Sequence, residues 1–438
     1  MNQTQFNQGS FNQGLLDFIQ ASPTPFHAVK NLSQQLQDRG FVALREQDAW
    51  TLQAGGRYFV TRNDSSIIAL IVGSNSLVDR GWRMVGAHTD SPCLKLKPNA
   101  LFKSQSYWQL GVEVYGGVLL SPWFDRDLSI AGRVSVKRND GSLAGFLINF
   151  ERAVAQVPSL AIHLDREVNQ GRAINPQQQM NAIVSLVDGD EHLSFASLLK
   201  EQLRQEHGID DIDDVLDFEL SLYDVQPPAV TGLRDEFINA ARLDNLLSCY
   251  TGLQAILGAD TQQHAILVCN DHEEVGSQSA IGAQGPMLAS VLERMEPDIQ
   301  RRQQALARSL MISADNAHGV HPNYADKHDK QHGPLLNAGP VIKVNANQRY
   351  ATNSNTAALF KTLCAEAHIP VQTFVSRSDM ACGSTIGPLT AATIGVDTLD
   401  VGVPTFAMHS IRETAGSADA FSLFLALSRF HALDQVHF

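Results

Sequence analysis

Residues 265–279 read AILVCNDHEEVGSQS, and the fold of the whole chain turns on them. Residues 265–269 form an unbroken apolar run of strand length, closed by polar turn residues, which is the pattern of a buried strand. Asp271, His272, Glu273 and Glu274 follow at once, then Val275 and Gly276. Two neighbouring carboxylates at the mouth of a buried strand repel each other, and a bound cation is the simplest way to make them tolerable. A Glu-Glu pair alone reads equally as a solvated acidic loop, so the rest of the chain must decide. The pair is not part of a zinc-protease HExxH helix, which would need histidine at 276, where Gly276 stands.

Working outward, the C-terminal part alternates strand and helix. Strands are expected at 309–314, 339–345, 370–375 and 398–403, with helices at 245–257, 288–308, 354–367 and 417–430. Upstream, 82–87 is a bounded apolar run, 58–61 and 67–72 are strand-like, and 15–20 and 28–37 suit short helices on either side of Ser22-Pro23-Thr24-Pro25. Such alternation implies an α/β domain on a largely parallel sheet, which gathers ligands outside the carboxyl ends of its strands. Between 91 and 230 the character changes to aromatic and β-branched runs (107–120, 130–137, 145–150) punctuated by glycine, with a polar, Gln-rich loop at 169–181. The expectation is a discontinuous domain, 1–90 plus 231–438, interrupted by a β-rich insert at 91–230.

Polar residues at the expected strand ends are few and of one kind. His88 follows 82–87, Glu273 and Glu274 follow 265–269, Asp315 follows 309–314, His409 follows 398–408, and Asp244 opens a helix. Imidazoles and carboxylates delivered by separate strands suit a binuclear site for zinc or a similar ion, because one carboxylate can bridge two cations about 3.5–4 Å apart. Each has a plainer reading, as a cap, a turn residue or a satisfied histidine, and periodicity does not by itself bring them together.

Composition excludes several classes. The 438 residues carry a formal charge of −13, which disfavours nucleic acid or an anionic membrane as partner. No apolar run approaches the roughly 20 residues of a membrane helix. Residues 1–14 lack the basic and apolar regions of a secretory signal, repeat FNQG at 6–9 and 11–14, and read as a frayed polar arm. Five scattered cysteines without CxxC spacing fit reduced thiols in a cytoplasmic enzyme.

The segments SPTPFHAV, VGAHTDSPCLKLKP, WFDRDLSIAGRV, AIHLDREVN, ARLDN, DHEEVGS, SADNAHGVHPNY, GPVIKVNANQRYAT, ACGSTIGP and MHSIRE, in this order, resemble the M18 family of aspartyl aminopeptidases over nearly the whole chain. The resemblance implies a three-layer zinc-peptidase α/β domain with an inserted β-rich dimerisation domain. It implies two divalent ions per subunit (Zn2+, with Mn2+ or Co2+ as alternatives), with His88 and Glu274 as terminal ligands and Asp244 bridging. Asp315 and His409 complete the two coordination spheres. Asp90 would orient His88, and Glu273 would be the general base toward a metal-bound water nucleophile.

His163, in AIHLDREVN, would reach the active site of a partner subunit as metal ligand or, preferably, as donor to the tetrahedral oxyanion. The implied substrates are peptides with a free N-terminus, Asp or Glu preferred. Because the overall charge repels an acidic residue, recognition needs a local cation. Lys343 is the candidate, with Met380, Gly383 and Ser384 lining the pocket and His318 contacting substrate. His328 and His332 read instead as part of a solvated loop. Assembly as a dimer-based dodecamer is implied in the same way. A co-catalytic zinc deacylase or a broader aminopeptidase would use the same ligands, and a metal-stabilised scaffold would have no need of a free base at 273.

Overall fold

The computed structural model describes residues 7–188 and 193–436, which divide into two compact units. One comprises 7–90, 228–408 and 413–436; the other comprises 91–227 and 409–412, residues 189–192 aside.

The first unit is built on a nine-stranded mixed sheet. Its order is Val42–Leu44, Arg57–Arg62, Ser66–Ile71, His264–Asn270, Trp82–His88, Leu310–Ala314, Asp397–Gly402, Val341–Val344 and Gln372–Val375. The four strands from His264–Asn270 to Asp397–Gly402 run parallel to one another. Side chains alternate across this sheet, as the period of two requires. Val85, Ala87, Ala265, Leu267 and Cys269 join one core, while Trp82, Met84, Ile266 and Val268 join another. Both faces are therefore buried, which is why these strands read as continuous apolar runs rather than alternating ones. Helices Gln8–Gln20, Leu243–Leu257 and Asp419–Ala432 close the first core, and Met287–Met295 and Ile386–Ile394 close the second. The result is three layers, α/β/α.

Two sequence expectations need correction. Residues 8–14 are not a frayed arm: Asn7 caps the helix Gln8–Gln20, and Phe11 is fully buried against Tyr250 and Phe424. Residues 1–6, with the first residue of the repeat, lie outside the described residues. The single helix expected at 288–308 is two, Met287–Met295 and Ile299–Leu306. Pro297 forces Glu296 into an extended conformation, and the Asp298 side chain caps the second helix by accepting from Arg301 N.

The second unit carries a six-stranded, wholly antiparallel sheet. Its order is Leu143–Asn149, Leu128–Arg138, Ile212–Asp224, Cys93–Ser104, Tyr107–Tyr115 and Ala182–Leu186. Its core includes Leu94, Val112, Ile130, Val134 and Leu222, with Leu199 and Leu203 of the helix Phe195–His207 packed in. The tetrapeptide 409–412 folds with it: Ile411 lies in this core, and Arg412 donates to the Pro227 carbonyl at 3.0 Å. Among the described residues no helix is long and apolar enough to cross a membrane.

His431, in the last helix, is fully buried, and neither ring nitrogen has a hydrogen-bond partner. Burial, helped by the Arg83 charge, lowers its pKa to about 3. The unfolded chain takes up this proton near pH 6.5 and the folded chain does not, so stability falls as pH drops from 6.5 toward 3. Compared with the wild type, His431→Leu is expected to be spared about 2 kcal/mol of destabilisation between pH 7 and pH 5. Urea midpoints of both proteins at the two pH values check this.

Candidate metal centre

Four parallel strands end along one edge, and the turns that leave them carry the polar residues. His88 is the last residue of its strand and pairs in register with Asn270. Its imidazole is 1% exposed, and its two nitrogens face different groups. Nδ1 lies 3.0 Å from the Asp90 carbonyl and 3.3 Å from the Asp90 carboxylate. Nε2 lies 3.4 Å from Asp244 Oδ1, 3.6 Å from Asp315 Oδ1 and 4.0 Å from Glu273 Oε2. A carbonyl at Nδ1 keeps that nitrogen a donor, so Nε2 is the nitrogen that can bind a metal once its proton is displaced.

The turn after His264–Asn270 presents the paired glutamates. His272 and Gly276 take left-handed backbone conformations on either side of the 3-10 turn Glu273–Val275, which folds the chain back sharply enough to aim both side chains at the edge. Asp90 fixes this turn, since its two carboxylate oxygens accept from the N–H groups of Glu273 (3.2 Å) and Glu274 (3.1 Å). One aspartate therefore braces a histidine and both glutamates. Asp244 is held from a distant segment, its N–H donating to buried Glu413 at 2.8 Å. Asp315 follows Leu310–Ala314 and accepts at Oδ2 from Lys343 Nζ at 3.1 Å, leaving Oδ1 toward His88.

The electrostatics are those of a site built for positive charge. Burial opposes protonation of His88, but Asp244, Asp315 and Asp90 outweigh it and hold the imidazole well above its ordinary range. Burial, with the charges of Asp315, Asp244 and Asp90, lifts Glu273 to about 7, and burial beside Asp244 pushes Glu274 well above the usual carboxylate range. Burial likewise raises Asp271 to about 6. Among the described residues, ligand atoms of His88, Asp244 and Glu274 lie within 4.8 Å of one another. One nitrogen and several carboxylate oxygens converging on one point, with their charge unbalanced, fit zinc or a comparable divalent ion.

Of the remaining residues singled out from sequence, Lys343 touches this edge through Asp315. Lys343 is 2% exposed and donates to Asp315 and to the Asn316 carbonyl (3.0 Å), with the Tyr350 ring 5.2 Å from its ammonium. His318 is exposed and packs edge-on against Phe374; close packing, then the Lys343 charge, lowers its pKa. Met380 and Gly383 are exposed, and Ser384 Oγ donates to the Arg349 carbonyl at 3.1 Å. His163 is an exposed turn residue of the second unit. His409 also belongs to that unit, where its Nδ1 lies 3.1 Å from the Gly117 carbonyl and its own carbonyl accepts from Leu119 N. Sequence reasoning missed Glu413 and Asp400. Glu413 closes the segment MHSIRE, and Asp400 is a charge inside the apolar run 398–403, so both could have been noticed.

The fold and this edge define a zinc-peptidase-like hydrolase. Over residues 18–431 the chain matches the family described as Aminopeptidase I zinc metalloprotease (M18), and it belongs to that family. It is a metallo-aminopeptidase, a hydrolase of N-terminal peptide bonds. The "Probable M18 family aminopeptidase 2" of Pseudomonas fluorescens strain Pf0-1 is 60% identical over 421 residues, covering 96% of this chain and 98% of that protein. Among solved structures, a chain of the Ape4 and Nbr1 complex superimposes with a TM-score of 0.93 at 38% identity, covering 97% of this chain and 86% of that one. The S. cerevisiae mApe1 dodecamer gives 0.84 at 28% identity, with 96% and 95% covered.

Proposed function

We propose that the protein removes N-terminal residues, Asp and Glu preferentially, at a binuclear site with Glu273 as general base. His88, Asp244, Glu274, Asp315 and His409 would hold the ions. When bound, the ions supply Lewis acidity toward the scissile carbonyl and toward water. Glu273 takes the proton from the attacking water and delivers it to the leaving amine, which requires a carboxylate near the site that is not itself consumed as a ligand. Asp90 keeps His88 and both glutamates in place. His163, reaching a neighbouring subunit's site, donates to the developing oxyanion or serves there as a ligand. His318, Met380, Gly383 and Ser384 contact the substrate, and Lys343 meets its side-chain carboxylate. The family's dodecameric member supports assembly of this chain into a dimer-based dodecamer, and the free cysteines suit the cytoplasm.

The observation that carries this reading is the convergence of Asp244, Asp315 and Glu273 on His88 Nε2 within 4.0 Å. Its test is turnover of peptides beginning with Asp, Glu, Leu and Lys, before and after removal and return of divalent ions. A second reading, an aminopeptidase of broader specificity, draws on the burial of Lys343 and its engagement by Asp315. Lys343→Met separates the two. Under the first reading the Asp-to-Leu preference collapses by on the order of tenfold or more, the worth of one charge-assisted bond. An unchanged preference assigns Lys343 to Asp315 alone.

A further inference from the structure

The side chain of Asp400 is fully buried inside the apolar strand Asp397–Gly402, where a carboxylate is costly unless it is well bonded. Its bonds go to two loops that are far apart in sequence. Oδ2 accepts from Ala351 N at 2.6 Å, in the loop after Val341–Val344. Oδ1 accepts from the Thr385 hydroxyl at 2.5 Å, at the end of the loop after Gln372–Val375. Its own N–H donates to Thr352 Oγ1 at 3.0 Å. The loops meet at two further points: Ser384 Oγ donates to the Arg349 carbonyl, and the Cys382 thiol approaches the Tyr350 hydroxyl. Tyr350 in turn lies over the Lys343 ammonium.

We propose that Asp400 is a positioning residue of the substrate pocket: its carboxylate joins the 345–353 and 376–385 loops into one wall over Lys343, and that wall selects the N-terminal side chain accepted. This rests on the assignment of Lys343, Met380, Gly383 and Ser384 to substrate binding. None of the three bonds to Asp400 involves a proposed metal ligand, so loosening the wall alters selection and leaves the chemistry in place. There is no room for a larger group, because a Cβ at Gly387 would stand 2.4 Å from Asp400 Oδ1.

The test uses Thr385→Val, which keeps the shape and deletes the hydroxyl, and Thr385→Ser, which restores it, in the full-length, ion-loaded protein. Val loses the bond to Asp400 and also the helix cap in which Thr385 Oγ1 accepts from Gly387 N at 3.2 Å. KM for a peptide beginning with Asp should rise on the order of tenfold, mainly from the lost bond to a charged group, with kcat and metal content little changed. The ratio of kcat/KM for Asp and Leu peptides should shift, and Ser should restore it. Asp400→Asn, which forfeits one of the two acceptors, should move KM in the same direction. An unaltered Asp-to-Leu ratio in Thr385→Val overturns the proposal, as does an equal fall of kcat for both peptides. A wild type that favours Leu removes the acidic preference instead; the wall still requires Thr385→Val to change the ratio, and a constant ratio overturns it there too.

Discussion

Glu273→Gln should fold, keep its metal and lose turnover by roughly 10²–10⁴, the range a positioned general base contributes. The amide matches the carboxylate in size, so the turn bonds that the Glu273 and Glu274 N–H groups donate to Asp90 survive. What disappears is the ability to take a proton. Without ions, burial and the surrounding aspartates place Glu273 at about 7. Cations bound beside it favour the charged form and move that value lower, so the acid limb of the wild-type profile should fall below pH 7 and be absent from the variant's residual activity. Loss of metal in the variant, or near-normal kcat, would falsify the assignment.

The second large effect is expected from His88→Ala. The imidazole presents Nε2 to Asp244, Asp315 and Glu273, so its loss removes a nitrogen ligand and leaves the carboxylates facing one another. Bound metal and activity should fall together to background. Wild-type protein stripped of ions should gain about 2.7 kcal/mol of stability when Zn2+ is returned at 100 times its dissociation constant. His88→Ala should gain far less, and denaturant midpoints with and without zinc read the difference. Equal stabilisation of the two proteins would place the ion elsewhere.

Where both faces of a strand are buried, sequence located it well. The runs at 82–87, 265–269 and 309–314 are strands at Trp82–His88, His264–Asn270 and Leu310–Ala314, because continuous apolar character bounded by polar turns has few other outcomes. Cys93–Ser104 was not foreseen, since Pro98 interrupts its pattern and the strand accommodates it by an irregularity between Leu96 and Leu101. The helix expected at 15–20 is present, but its first half, from Gln8, was hidden by a polar, repetitive sequence whose few apolar residues, Phe11 among them, suffice to dock it. For the site, sequence could name strand-end residues but not their supports. The bonds that the Glu273 and Glu274 N–H groups donate to Asp90, Asp244 N to Glu413, and Lys343 to Asp315 depend on tertiary placement that no spacing encodes. That His409 folds with residues 91–227 is equally invisible along the chain.

The sheet order has a consequence for how such an enzyme is made. His264–Asn270 lies between Ser66–Ile71 and Trp82–His88, so the middle of the sheet stays open until some 270 residues have left the ribosome. Asp315 and the Glu413 that grips Asp244 come later still. On the proposed assignment, a chain that stops before residue 315 has neither Asp315 nor the Glu413 brace on Asp244.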